Sequence, residues 1–413
     1  MPLKHRLSNT GILQTNTYLN EIDYTINTSF NENNIVGILD EITNPGMAMS
    51  LLNSGTISVN NWFDEYTGFS IATLNTYLAV SAVLTGQNAV YNWTNGVGFG
   101  SRFANPASPS TGACWSIGFH PTGSDIQMTS FTVSPYISAY QWSSSGYGTK
   151  YSNPGTTPGS GPYDSTFSPS GNDLAVATTG TPYIQVYPWT VGVGFGTKYS
   201  NPSTLPGVNG NGCSFNPAGT DIAVVSVSTP YIQVYPWTSG VGFGTKYANP
   251  TVLPGANAIY PTFTPAGTDI AVCTATTPFV DVWQWTSGSG FGTKYSAPSG
   301  TSTYGGGDSA KFSTSGNDFV LGITNSPFVA GYPWTHGTGF GTKYANPSTL
   351  TPGVVNRVEF NPNGLEIALA QGGSTGSAAY VYPWTSGVGF GTKYADASSP
   401  VVGNGAGVNF GIL

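Results

Sequence analysis

Charge is what this 413-residue sequence has least of. Asp, Glu, Lys and Arg together make up 7% of it, against roughly a quarter in ordinary globular chains. The eleven Lys and Arg residues are spread along the chain, which excludes the basic face that phosphate contacts require; nucleic acid is not an expected partner. Histidine is almost as scarce. His5, His120 and His336 have no Cys or His neighbour at metal-ligand spacing. The three cysteines, Cys114, Cys213 and Cys273, contain no CxxC pair, and an odd, scattered set argues against a disulfide framework and a zinc site. No apolar run reaches the length of a membrane span. The opening "MPLKHRLSNTGILQ" lacks the apolar segment of a secretion signal. Beyond residue 77 no segment carries a helical period.

Hydrophobic residues are not lacking, at 39%, and aromatics reach 13%, so a core can form and disorder is excluded. Much of that material is repeated. Trp93, Trp142, Trp189, Trp237, Trp285, Trp334 and Trp384 recur at intervals of 49, 47, 48, 48, 49 and 50 residues. A period near 48 belongs to the range of propeller blades. Each unit runs in the order "GFGTKYSNP", "FSPSG", "DLAVATT", "PYIQVYPWT", which reads as four short strands separated by turn residues. In "YIQVY", Ile184 and Val186 alternate with Tyr183, Gln185 and Tyr187, the pattern of a half-buried strand. Pro precedes the Trp in four units, and Asn or Gln does in three. Pro cannot donate to a ladder, so that position is expected at a strand end or bulge.

The order of an "FSPxG" turn, a small-residue strand and a strand ending in an aromatic pair resembles the WD40 family over residues 77 to 413. The Trp-Asp ending of that family is Trp-Thr here, and its Gly-His pair and turn Asp are missing, so its hydrogen-bond network does not carry over. The turn Phe recurs as Phe119, Phe167, Phe215, Phe263, Phe312 and Phe360, and Phe410 lies 26 residues after Trp384. The chain therefore ends after an outer and an inner strand, and "YLAVSAV" and "NAVYNWT" supply the two that are missing. A competing inner strand for that blade is "GFSIATLN", Gly68 to Asn75. The expected fold is all-β: a seven-bladed propeller of four-stranded blades closed by both chain ends, spanning 68–413. An irregular anchoring segment, 1–67, precedes it.

No segment announces catalysis, a cofactor or a metal. "GVGFG" imitates a phosphate loop but precedes no helix, and its glycines suit a tight turn. Asp125, Asp173, Asp221, Asp269, Asp318 and Glu366 recur with the repeat and are expected to satisfy turn backbone. Breaks in the repeat are more informative: Asp308 with Lys311, Arg357 with Glu359, and Trp283. A cluster of them on one face would point to a site. Arg102, Lys150, Lys198, Lys246, Lys294, Lys343 and Lys393 occupy one repeated position on the outermost strand. There they deter edge pairing and form a candidate rim contact with an anionic surface.

Outside the repeat, "LLNSGTISVNNWFDEYTG" (Leu51 to Gly68) resembles an "SGxISLxD" stretch of tailed-phage structural proteins. The wording "YPWTxGxGFGTKY" is likewise similar to repeats in phage virion proteins. That resemblance implies a non-enzymatic virion protein, assembled in a host cytoplasm and displayed outside it on capsid or tail. Residues 1–67 would attach it to other virion proteins, and the propeller would meet a host-surface glycan or protein. The alternative is a carbohydrate-binding, lectin-type propeller outside any virion.

Overall fold

A computed structural model describes residues 76–83, 88–110, 112–373 and 375–413, together with the backbone of five short strands before them. The chain divides into two units, Met1–Asn75 and Thr76–Leu413. In the first, Lys4–Leu7 pairs with Leu13–Asn16, and Ala48–Leu51 lies between Gly37–Ile38 and Ser70–Thr73. The attachment role expected of residues 1–67 lies outside the described residues.

The second unit is seven antiparallel four-stranded sheets. Blade 1 is made by both ends of the unit: Gly405–Ile412 is innermost, followed by Thr76–Ala82, Ala89–Thr94 and Gly98–Arg102. The closing strand pairs along its length, from Gly405 opposite Ala82 to Ile412 opposite Thr76. The competing strand from Gly68 to Asn75 is not used there, since Ser70–Thr73 pairs with Ala48–Leu51. Blades 2 to 7 follow in order, with innermost strands Ile117–Phe119, Pro162–Phe167, Gly210–Phe215, Ala258–Phe263, Gly307–Phe312 and Val355–Phe360. The only helical element among the described residues is a single 3-10 turn, Thr301–Thr303.

Seven hydrophobic clusters lie between neighbouring blades. One joins Ala175, Ile184 and Val186 of blade 3 to Phe215, Ile222 and Trp237 of blade 4, and the cluster of blades 7 and 1 closes the ring. The half-buried reading of "YIQVY" is corrected here. Ile184, Gln185, Val186 and Tyr187 are all buried, because each blade has a neighbour on both faces. A blade cannot cover its own two faces, so stability comes from stacking.

The repeated carboxylates also do something other than expected. Asp173 is wholly buried. One of its oxygens accepts from Tyr199 Oη at 2.7 Å and the other from Trp237 Nε1 of the next blade at 3.1 Å. Asp125, Asp221, Asp269 and Asp318 repeat the arrangement with their own Tyr and the next blade's Trp. These acids are ties between blades. A buried carboxylate persists only where donors replace its water, and here the repeat's own Tyr and Trp supply them.

Two junctions depart from the rule. Between blades 7 and 1 the acid is Glu366, which accepts from Tyr394 Oη at 3.4 Å and from the Gly96 amide at 2.8 Å, while Trp93 Nε1 is left without a partner. Blade 1 has Tyr77 where the others have the acid, and Phe103 where they have the Tyr; both ring-pack on Trp142, at 5.3 and 5.0 Å. With the acceptor gone, the phenol that would have donated to it is gone too. Trp142 Nε1 and Tyr77 Oη are left without partners.

The Pro before Trp has a visible effect. In blades 3, 4, 6 and 7, with Pro188, Pro236, Pro333 and Pro383, the outer strand is two residues long; in blades 1, 2 and 5, with Asn92, Gln141 and Gln284, it is five. The missing N–H removes a rung, and the ladder stops.

Candidate functional site in the central channel

The innermost strands surround the propeller axis, and their side chains can be numbered back from the turn Phe. One residue back stand Gly118, Thr166, Ser214, Thr262, Lys311, Glu359 and Asn409. Three back stand Ser116, Asp164, Gly212, Tyr260, Ser309, Arg357 and Gly407. Five of the seven units are small or uncharged polar at the first of these positions, and charge stands there only on blades 6 and 7. There Lys311 Nζ meets Glu359 Oε1 at 2.9 Å.

Arg357, one turn of the pleat away from Glu359, reaches across the channel from blade 7 to blade 3. Its Nη2 donates to Asp164 Oδ1 at 3.0 Å, and its guanidinium lies 4.1 Å from the ring centre of Tyr260 on blade 5. Asp164 is buried and also accepts from Ser116 Oγ at 3.2 Å and from the Cys213 amide at 3.1 Å. Burial alone would lower the pKa of Arg357. Asp164, then Tyr260 and Glu359, outweigh it and leave the guanidinium firmly charged. Its Nη1 is buried with no partner. Tyr260 holds a positive φ of 41°, an uncommon setting for a bulky residue. Opposite it stands Gly212, where a Cβ would come within 3.0 Å of the Tyr260 backbone.

This bar of Asp164, Arg357 and Tyr260 divides the channel. On the side of the first turn of each blade is a cavity of about 260 Å³, lined by Gln127, Thr166, Ser214, Lys311, Arg357, Glu359 and Asn409. On the other side, at the start of the innermost strands, is Asp308. Burial pushes its carboxyl up to about 6, and it makes no hydrogen bond among the described residues. Four of the five repeat breaks, Asp308, Lys311, Arg357 and Glu359, are thus brought to one channel. The fifth, Trp283, is not. It sits in the blade core, donating to Val252 O at 3.2 Å just as Tyr235 donates to Thr204 O.

Asp164, Ser116 and Tyr260 escaped the sequence reading. Their position holds Ser in two units, Gly in two and a different residue in each of the other three, so it offers no consensus to break. The other candidates are placed elsewhere. Nδ1 and Nε2 of His120 are taken up by Thr122 Oγ1 and Gly171 O, and burial lowers its pKa. His336 lies against Asp269 at 2.9 Å, largely exposed. Among the described residues no group of three or more His, Cys, Asp or Glu could hold a metal. The glycines of "GVGFG" form the tight turn before the outer strand, with Gly192 and Gly194 at positive φ.

The repeated basic residues lie at the blade edges, engaged with their own loops. Lys198 and Lys246 donate to the next residue's carbonyl and to Asn201 and Asn249. Lys343 meets Asn346, Lys393 meets Asp396, Lys294 pairs with Asp281, and Arg102 reaches Asn88 O and Asn105. Lys150 ends the outer strand of blade 2.

No protein-family model matches the chain, and no curated protein matches its sequence. Solved structures do share its architecture. A protein of Bacteroides uniformis provisionally named a 6-phosphogluconolactonase superposes with a TM-score of 0.64 at 15% identity, over 82% of this chain and all of that one. A similarly named protein of Bacteroides fragilis gives 0.62 at 14%, over 82% and 98%. The periplasmic gluconolactonase of Pseudomonas aeruginosa gives 0.60 at 14%, over 82% and 99%. At such identity the likeness establishes the fold.

These three neighbours correct the expectation of a non-enzymatic virion propeller, since each bears the name of a lactonase. The physical reason lies in the repeat. Its wording encodes the Asp–Tyr–Trp ties and the outer turn, which hold a ring together whatever the ring does. An expectation drawn from that wording therefore speaks of architecture and not of role.

Proposed function

We propose that the propeller hydrolyses a cyclic ester of a polyhydroxylated acid in the channel cavity beside Lys311, Arg357 and Glu359. The observation that carries this reading is the concentration of the repeat's charged breaks on two adjacent innermost strands, around a cavity whose wall also carries hydroxyl and amide side chains among apolar ones. The names of the structural neighbours supply the reaction class.

The chemistry asked of the cavity is modest. Lactone opening needs a base to take a proton from the attacking water and donors for the carbonyl oxygen as it gains charge. Glu359 is the carboxylate in the cavity wall, and Lys311 and the unpartnered Nη1 of Arg357 are the donors. Thr166, Ser214, Gln127 and Asn409 offer hydrogen bonds to ring hydroxyls.

The test is acid release from gluconolactone and 6-phosphogluconolactone in a pH-stat, corrected for spontaneous opening. The expected outcome is acceleration by the wild type and a fall in kcat of roughly 10²–10⁴-fold in Glu359→Gln. Lys311→Met should fall with it. Absence of acceleration with stoichiometric protein, or full activity in both variants, would overturn the assignment.

A further inference from the structure

The opposite mouth of the channel carries a second group of residues that the hydrolytic reading leaves unused. Four residues back from the turn Phe, the innermost strands present Trp115, Tyr163, Asn211, Ile259, Asp308, Asn356 and Ala406. All but Ala406 are partly exposed, although the flanking positions are mostly buried. The aromatic pair is therefore confined to blades 2 and 3. A third ring joins it: Phe131 belongs to the turn between the second and third strands of blade 2. That turn, "SFTVSPY" at Ser130 to Tyr136, is two residues longer than "TGTPY" at Thr179 to Tyr183 in blade 3.

The three rings touch one another, with centroids 5.7 Å apart for Trp115 and Tyr163, 4.9 Å for Phe131 and Tyr163, and 6.4 Å for Trp115 and Phe131. None belongs to an interblade core. Gly161 makes room for the arrangement, because a Cβ there would lie 2.3 Å from Phe131 O and 2.7 Å from its ring. In the same register, on blade 6, stands Asp308, the carboxylate without a hydrogen bond. Asn211 and Asn356 donate their amide N–H to the next blade, to Ala258 O and Gly405 O.

We infer that this mouth is a binding site for a single neutral saccharide ring, stacked on Trp115, flanked by Tyr163 and hydrogen-bonded by Asp308. A pyranose has one apolar face of C–H groups and a hydroxyl edge. A wall of rings facing one acid and two amides matches that division, whereas an interblade core has no use for either. Two of the three ring pairs meet edge-on and the third is tilted; packed on one another in this way they enclose no box, so a quaternary ammonium ion finds no aromatic cage here. The bar of Asp164, Arg357 and Tyr260 separates this mouth from the cavity beside Glu359. The two sites can therefore be tested independently.

The experiment is saturation-transfer NMR on the full chain with methyl glycosides of glucose, galactose and mannose, and with choline as the cationic control. Transfer to the ring C–H protons of at least one glycoside is expected. Affinity should be roughly tenfold weaker in Trp115→Ala, the scale of one stacked ring, and should also weaken in Asp308→Ala. Lys311→Met should leave it unchanged. Binding of choline in preference to every glycoside, no transfer to any glycoside, or equal transfer in both mouth variants would overturn the site. Loss in Lys311→Met would place the sugar in the other cavity instead. Should Trp115→Ala fail to fold, Asp308→Ala, which removes no packed ring, decides alone.

Discussion

At the scale of single residues, the interblade tie and its exception between blades 1 and 2 make a natural double-mutant cycle. Asp173, Tyr199 and Trp237 satisfy one another, and so do their counterparts at four further junctions. Between blades 1 and 2 the acid is Tyr77 and its donor is Phe103. Tyr77→Asp alone would bury a carboxylate with one donor, Trp142 Nε1. Phe103→Tyr alone would bury a hydroxyl without an acceptor. Each should destabilise by about 1–3 kcal/mol, the cost of an unsatisfied buried polar group. Together they rebuild the tie, so the double variant should be more stable than the sum of the singles predicts, with a coupling of about 1–3 kcal/mol. Urea melts of the four proteins measure this. Additive effects would mean that the junction is set by ring packing and not by donor count.

At the scale of elements, the outer strands show how one imino acid edits a sheet. Gln141 and Gln284 are followed by five-residue outer strands, while Pro188 is followed by Gly194–Phe195 alone. Restoring the N–H with Pro188→Gln should extend the ladder toward Lys198. Amide exchange of residues 196–198 should slow to the level seen at 148–150. If those amides stay as fast as in the parent, the loop after Phe195 holds the strand short and Pro merely tolerates it. The alternation in "YIQVY" teaches a related lesson. Period-two spacing correctly announces a strand, but polar Gln185 does not mark a wet face. Its neighbour Tyr187 accompanies it into the interior, with Tyr187 Oη donating to Gln185 Oε1 at 3.2 Å.

At the scale of the whole molecule, the ring is closed by a blade assembled from residues far apart in the chain. Gly405–Ile412 supplies its innermost strand, and Val408 and Phe410 belong to the cluster that joins blades 7 and 1. Removing residues 401–413 would strip that strand and expose the faces of blades 7, 1 and 2. The melting temperature should fall markedly and the transition broaden, because stacked units lose cooperativity when an interface is missing. A truncated chain that melts with the parent's midpoint and sharpness would show that the ring does not need its latch. Closure also creates the channel, and with it the only place where blades 3, 5 and 7 can meet.

The sequence by itself determined the number of blades, their strand order and the partners that close the ring. All of these follow from local periodicity and turn chemistry, repeated often enough to be counted. It also marked Asp308, Lys311, Arg357 and Glu359 as departures, because charge is rare at their positions in the repeat. Tertiary structure alone decided that Asp173 and its kin tie blades together. The acid and the indole it holds are 64 residues apart, and a single blade viewed alone gives the acid its own Tyr but not the Trp of the next blade. Only the closed ring, too, brings Arg357 to Asp164, 193 residues away. The innermost positions vary from unit to unit because they face the channel and not the next blade. The constraint that makes the rest of the repeat legible is absent there, and that is where a site can be built.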